Sequence, residues 1–133
     1  MGAWGFNSFE NDGAGDMVAD LVHGPDLSPV TEALDTVLEN DEYIEVDEAQ
    51  RAVAAAEVIA MMRGKPNAST PQGLRDWLQS HQLALDSAWS DKAIQAVNKV
   101  YAASEMRELW EEVDDFPDWQ SAMLYLLGRL QPV

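Results

Sequence analysis

Apolar side chains recur every three or four residues along most of the chain, which is the spacing of one buried face of an α-helix. Proline, glycine and short polar residues separate these stretches, as they do where helices begin and end. The pattern predicts helical segments over residues 12–23, 30–40, 48–63, 72–81, 91–113 and 118–130. The fifth segment changes phase near Ser104, so a kink and a break into two helices are both open.

The third segment is rich in alanine along its apolar stripe, and we expect it to be the central helix because small side chains let neighbours approach closely. One stretch, residues 43–46, alternates apolar and polar positions as a strand does, and residues 1–6 could pair with it. The sequence therefore predicts an all-α fold. We expect a single compact domain over residues 1–133, with five to seven helices and at most one short strand pair.

Polar residues stand where an N-cap side chain would accept hydrogen bonds from the first turn of a helix. Asn11 or Asp12 would cap the first segment, and Ser90 would cap the fifth. Asp47 would cap the third segment, and Gln50 follows it at the spacing of a capping box.

The composition is that of a globular protein with a large negative charge. Of the 133 residues 47% are hydrophobic and five are tryptophan, which is enough apolar volume for a core. The 24 acidic and 8 basic residues give a net charge of −16. This charge repels phosphate backbones and strongly disfavours ordinary nucleic-acid binding, so we expect no nucleic-acid partner. It favours a basic protein partner, although it would also serve only to keep an inert protein in solution.

Several kinds of chemistry have no support in the sequence. Cysteine is absent, which excludes disulfides, thiolate catalysis and cysteine-based zinc sites. No leader pattern is present and no apolar run approaches the roughly 18 residues of a membrane helix, so we expect a cytoplasmic protein without a membrane role. The chain has no G-x-S-x-G motif and no phosphate-binding loop. We therefore assign no catalytic residue, and we expect no cofactor other than a divalent metal.

That metal would bind to one face of the first predicted helix, where four polar side chains fall within an arc of roughly 80° at about 100° per residue. The four side chains are those of Asp12, Asp16, Asp20 and His23. Carboxylates and imidazoles bind divalent metals, so a metal-dependent enzyme is one hypothesis. Any amphipathic helix also turns its polar residues outward, and acidic residues near its N-terminus complement the helix dipole.

The connection between the second and third segments, ENDEYIEVDE, consists mostly of acidic residues. It lacks the glycine of an EF-hand loop, which excludes that kind of calcium site. It is either a solvated connection or a docking patch in which an aromatic and an aliphatic side chain are surrounded by carboxylates. The second interpretation predicts a partner-binding set of Glu39, Asp41, Glu42, Tyr43, Ile44, Glu45 and Asp47.

The opening MGAWGFNSFENDGAGD places three large aromatic residues where chain ends usually fray. It resembles the small bacterial proteins catalogued as domain of unknown function 4259. The matching residues are Gly2, Ala3, Trp4, Gly5, Phe9, Asn11, Asp12, Ala14 and Asp16, with Leu21 in the following apolar turn. Met17 departs from the pattern, because an aromatic residue is expected there. The resemblance implies a fold and a bacterial origin, and it transfers no catalytic residue.

The glycines beside Trp4 would let the backbone approach a helix closely, so we predict that its indole fills a gap in the core. Three hypotheses on function follow from the sequence. The first is a module that docks a basic partner, as an immunity protein or a DNA mimic would. The second is the metal-dependent enzyme, and the third is a structural protein without a ligand. We favour the first because of the charge and the lack of catalytic motifs. The sequence does not indicate an oligomeric state.

Overall fold

The computed structural model describes residues 3–81 and 85–131, and these residues contain seven helices. The helices are α1 (Asp12–Val22), α2 (Ser28–Leu38), α3 (Val46–Met62), α4 (Gln72–Ser80), α5 (Ser87–Ala102), α6 (Glu105–Glu111) and α7 (Phe116–Leu130). The prediction of an all-α fold is confirmed. Over these same residues, no helix has the length and apolar content that crossing a membrane requires.

Helix α3 lies at the centre and packs against α1, α2, α5, α6 and α7, as the alanine-rich pattern predicts. All of residues 52–60 are buried, because a helix with small side chains can be surrounded closely by its neighbours. One cluster of buried apolar side chains includes residues from all seven helices. The other elements, including the one that carries the candidate site, are thus positioned around α3.

The structure confirms one predicted N-cap and corrects two. The Oδ1 atom of Asn11 accepts a hydrogen bond from the backbone of Ala14 at 2.8 Å and caps α1. Helix α3 begins earlier than predicted, with Glu45 rather than Asp47 as its N-cap residue. Helix α5 is capped by Asp86, and Ser90 lies buried inside that helix, because the helix begins one turn earlier than the apolar pattern indicates.

The shift of the apolar pattern near Ser104 corresponds to a break between α5 and α6. The Ser104 hydroxyl accepts a hydrogen bond from the backbone of Arg107 at 3.1 Å and caps α6. The strand-like stretch over residues 43–46 forms no strand and leads directly into α3, in agreement with the predicted all-α fold. An isolated bridge between Ala3 and Asn11 is the only β pairing within the described ranges.

The prediction that Trp4 fills a gap in the core is wrong. Its side chain is 66% exposed, whereas Phe9 is only 8% exposed and belongs to the core. The segment before α1 folds back on itself, and the backbone of Trp4 donates to the carbonyl of Glu10 at 3.0 Å. The N-terminal segment is therefore held by Phe9 and by backbone hydrogen bonds, and the indole faces solvent.

A buried ion pair joins α3 to α7. The carboxylate of Glu57 (1% exposed) accepts two hydrogen bonds, at 2.7 and 2.8 Å, from the guanidinium of Arg129 (8% exposed). The hydroxyl of Ser8 and the amide of Asn67 also donate to Glu57, at 2.8 and 3.1 Å. One carboxylate thus connects the N-terminal segment, the loop after α3, and the last helix.

Candidate functional site

The acidic connection between α2 and α3 has a defined conformation. The side chain of Asn40 accepts a hydrogen bond from the backbone of Glu42 at 2.8 Å and donates one to the carbonyl of Tyr43 at 3.1 Å. The ammonium group of Lys99 on α5 donates to the carbonyls of Val37, at 2.8 Å, and Asn40. Because these carbonyls lie at the end of α2 and just after it, Lys99 fixes the start of the connection.

Helix α6 packs against the end of this connection through two hydrogen bonds. The backbone N–H of Glu105 donates to the carbonyl of Ile44 at 2.9 Å. The carboxylate of Glu105 accepts a hydrogen bond from the backbone N–H of Val46 at 2.7 Å. These bonds bring the acidic first turn of α6 beside the acidic connection, although about 60 residues separate the two in sequence.

The hydroxyl of Tyr43 donates to the carboxylate of Glu108 at 2.6 Å, and its side chain remains 52% exposed. We define the acidic face as the side chains of Tyr43, Glu45, Glu105 and Glu108. The hydrogen bond to Glu108 is the main cause that raises the pKa of Tyr43 from 10.0 to about 12. Partial desolvation and the negative charges of Glu108, Glu105 and Glu45 raise this pKa further.

We predict that replacing Glu108 with glutamine lowers the pKa of Tyr43 from about 12 toward 10, because the substitution removes the main cause of the shift. NMR titration of ¹³C-labelled tyrosine measures this pKa directly. In the wild-type protein, the stability that the raised pKa contributes is present below pH 10 and is lost as the pH rises toward 12. Glu112→Gln removes an exposed carboxylate just after α6 and is the control. An equal change in both variants would contradict the assignment.

Within residues 3–81 and 85–131, no basic side chain pairs with the acidic face. None of its three carboxylates forms a salt bridge with another residue that the structure describes. Arg107 also lies on α6, but its guanidinium pairs with Glu111 at 2.9 Å and donates to the carbonyl of Tyr101 at 2.8 Å. The acidic face therefore presents uncompensated negative charge around an exposed aromatic ring.

The structure divides the partner-binding set predicted from the sequence. Those predicted residues that are exposed in the connection are Glu39, Asp41, Glu42, Tyr43 and Glu45. The prediction that Ile44 lies on the docking surface is wrong: it is only 3% exposed because its side chain packs into the core. Asp47 pairs with Arg51 at 3.0 Å on the first turns of α3 and belongs to a different cluster. Glu105 and Glu108 were missed, because no local pattern relates α6 to the connection.

The four side chains of the predicted metal site do not converge. Asp16 and Asp20 both lie against the guanidinium of Arg51, at 3.6 and 3.4 Å, so a cation of the protein already occupies the space between helices. The Nδ1 atom of His23 lies 2.8 Å from the carbonyl of Ala19, and Asp12 is exposed in the first turn of α1. Across residues 3–81 and 85–131, no three such side chains are arranged to hold a metal ion.

Comparison with known proteins identifies a family for this chain, and the description of that family names no activity. The family model described as Domain of unknown function (DUF4259) matches residues 2–122, which is most of the chain. No curated protein and no solved structure matches the chain. The match includes the connection, α6 and therefore every residue of the acidic face.

Proposed function

We propose a protein-binding function for this chain, which belongs to the DUF4259 family. The proposed partner is a basic protein, and the acidic face together with the exposed acids of the connection is the docking surface. An immunity protein that neutralises a basic toxin and a mimic of DNA both act in this way. We place this function in the bacterial cytoplasm.

The observation that carries the proposal is the uncompensated charge around Tyr43. An aromatic side chain surrounded by polar groups is the usual composition of a binding hot spot, because the ring buries a large apolar area and the surrounding groups exclude water. The hydrogen bond to Glu108 holds the ring in one orientation before any partner binds. Less conformational entropy is then lost on association.

The net charge of −16 supports the same partner class. Long-range attraction between a negative surface and a basic protein raises the association rate, and salt reduces this attraction. A basic partner would therefore bind fast at low ionic strength and more slowly at high ionic strength.

The test measures the affinity of a captured partner for the wild-type protein and for one variant of the docking surface. We predict that Glu42→Gln, Tyr43→Ala and Glu108→Gln together weaken binding of a captured basic partner at least about tenfold, because a hot-spot aromatic and two rim charges are lost. The partner is captured from a lysate of the encoding organism at low salt and identified, and its affinity for the purified wild-type and variant proteins is then measured.

The matched control is Asp91→Asn with Asp118→Asn, which removes two exposed carboxylates on α5 and α7, outside the acidic face. We expect this control to change the association rate slightly and the affinity less than threefold. Equal losses in both variants would indicate a nonspecific effect of net charge. Recovery of no basic protein at low ionic strength would reject the proposal.

A further inference from the structure

A groove of about 510 Å³ lies between the C-terminal end of α3 and helix α4. Its apolar lining includes Met61 and Met62 of α3 and Leu78 of α4. The volume falls within the range of small-molecule sites, which is roughly 300–1,000 Å³. Methionine side chains are flexible and polarisable, so such a lining adapts to apolar ligands of different shape.

Among the described residues, the polar side chains that line the groove are Arg75, Gln72 and Gln79, and none of the lining residues is acidic. This is unusual for a chain with three times as many acidic as basic residues. Arg75 is held in place because it donates to the carbonyls of Thr70, at 3.3 Å, and Asn67, at 3.2 Å.

Arg75 also differs from most arginines of this chain in its partners. Arg51, Arg107 and Arg129 each form a salt bridge with a carboxylate of the protein. Among the residues that the structure describes, Arg75 has no carboxylate partner. Its guanidinium has five N–H donors, of which these carbonyls engage Nε and Nη2, so the Nη1 donors can serve a ligand.

We infer that this groove binds a small carboxylate with an apolar body. The carboxylate would accept hydrogen bonds from Arg75, since guanidinium and carboxylate groups match in charge and geometry. The apolar body would lie against Met61, Met62 and Leu78, and the two glutamines complete the polar part of the lining. This site is independent of the acidic face and of the proposed protein partner.

Three probes of equal chain length test the inference on the wild-type protein: octanoate, 1-octanol and octylammonium. Binding is followed at 150 mM salt by NMR of the Met61 and Met62 methyl groups, because this salt concentration limits long-range repulsion to about 8 Å. We expect saturable shifts of both methyl groups with octanoate, and at least tenfold weaker binding of octylammonium. No shift with octanoate, or equal binding of octylammonium, would overturn the inference.

The variant Arg75→Gln removes the charge that the inference needs, and we expect about tenfold weaker octanoate binding with little change for 1-octanol. Arg63→Gln is the matched control, because Arg63 lies just after α3 and does not line the groove. Equal weakening by both variants would show nonspecific attraction and would overturn the inference. The comparison of probes on the wild-type protein keeps the inference testable if Arg75→Gln fails to fold.

Discussion

Replacing Arg129 with methionine is expected to lower the free energy of unfolding by about 3–5 kcal/mol, because it leaves the buried charge of Glu57 without its cation. The carboxylate of Glu57 is 1% exposed, so water cannot replace the two hydrogen bonds from Arg129. The hydroxyl of Ser8 and the amide of Asn67 would remain as donors, and neither carries a positive charge. Denaturant unfolding followed by circular dichroism measures the loss.

The matched control is Lys92→Met, which removes one partner of an exposed ion pair. Lys92 contacts Asp35 at 2.7 Å, as close as the buried pair, but both side chains are more than one third exposed. We expect a loss of less than about 1 kcal/mol, because solvent screens exposed pairs. Equal losses at the two sites would contradict the view that burial makes the Glu57–Arg129 pair costly to break.

A double-mutant cycle separates the ion pair from other effects of losing Arg129. The Arg129 guanidinium also lies over the ring of Tyr125, at 4.3 Å from its centroid, so a single substitution removes packing as well. In the cycle, Glu57→Gln removes the buried charge while keeping an acceptor for Ser8 and Asn67. We expect the double variant to be more stable than Arg129→Met alone, since the uncompensated charge is then absent.

Much of the fold could be predicted because helix ends carry local signals. Asn11 and Ser104 cap helices through hydrogen bonds to residues three positions later, so the information lies within one turn.

Burial of individual polar residues could not be predicted in this way. Glu57 lies next to the apolar stripe of α3, at a position that an amphipathic helix would expose. It is buried because other helices surround α3 on most sides.

Trp4 shows the limit of an argument from residue type. Its size and the glycines beside it favour burial, but the segment also contains Phe6 and Phe9. Phe9 is buried in the core and Phe6 packs against the core partly buried, whereas Trp4 is exposed. The sequence does not indicate which aromatic ring is buried. Burial depends on the path of the backbone from the hydrogen bond between Trp4 and Glu10 to the N-cap of α1.

The sequence predicts only those residues of the candidate site that lie close together in the chain. The acidic connection and Tyr43 stand together in the sequence, whereas Glu108 lies 65 residues from Tyr43 and is brought to it by the packing of α6. The same packing buries Ile44, whose carbonyl accepts the backbone N–H of Glu105. Tertiary contacts therefore added two carboxylates to the surface and removed one apolar side chain from it.

Two glycines in the first turn of α1 weaken this helix equally by intrinsic propensity, yet the structure predicts opposite effects of replacing them with alanine. A Cβ atom on Gly13 would lie 2.6 Å from the Cβ of Gln50 and 3.1 Å from the carbonyl oxygen of Asp47. Neither atom is the end of a flexible side chain, so α1 and α3 would have to separate. A Cβ atom on Gly15 would meet no atom within 4 Å.

We therefore expect Gly13→Ala to lower the free energy of unfolding by about 1–3 kcal/mol, because overpacking outweighs the gain in helix propensity. Gly15→Ala is its control in the same helix and should raise the free energy of unfolding by about 0.5–1 kcal/mol. Gly13→Ala would also disturb the hydrogen bond from its backbone N–H to the side chain of Gln50, which is 3.0 Å long. Thermal and denaturant unfolding measure the free energy of unfolding of both variants. If Gly13→Ala raises this free energy, α1 and α3 are not in close contact at Gly13.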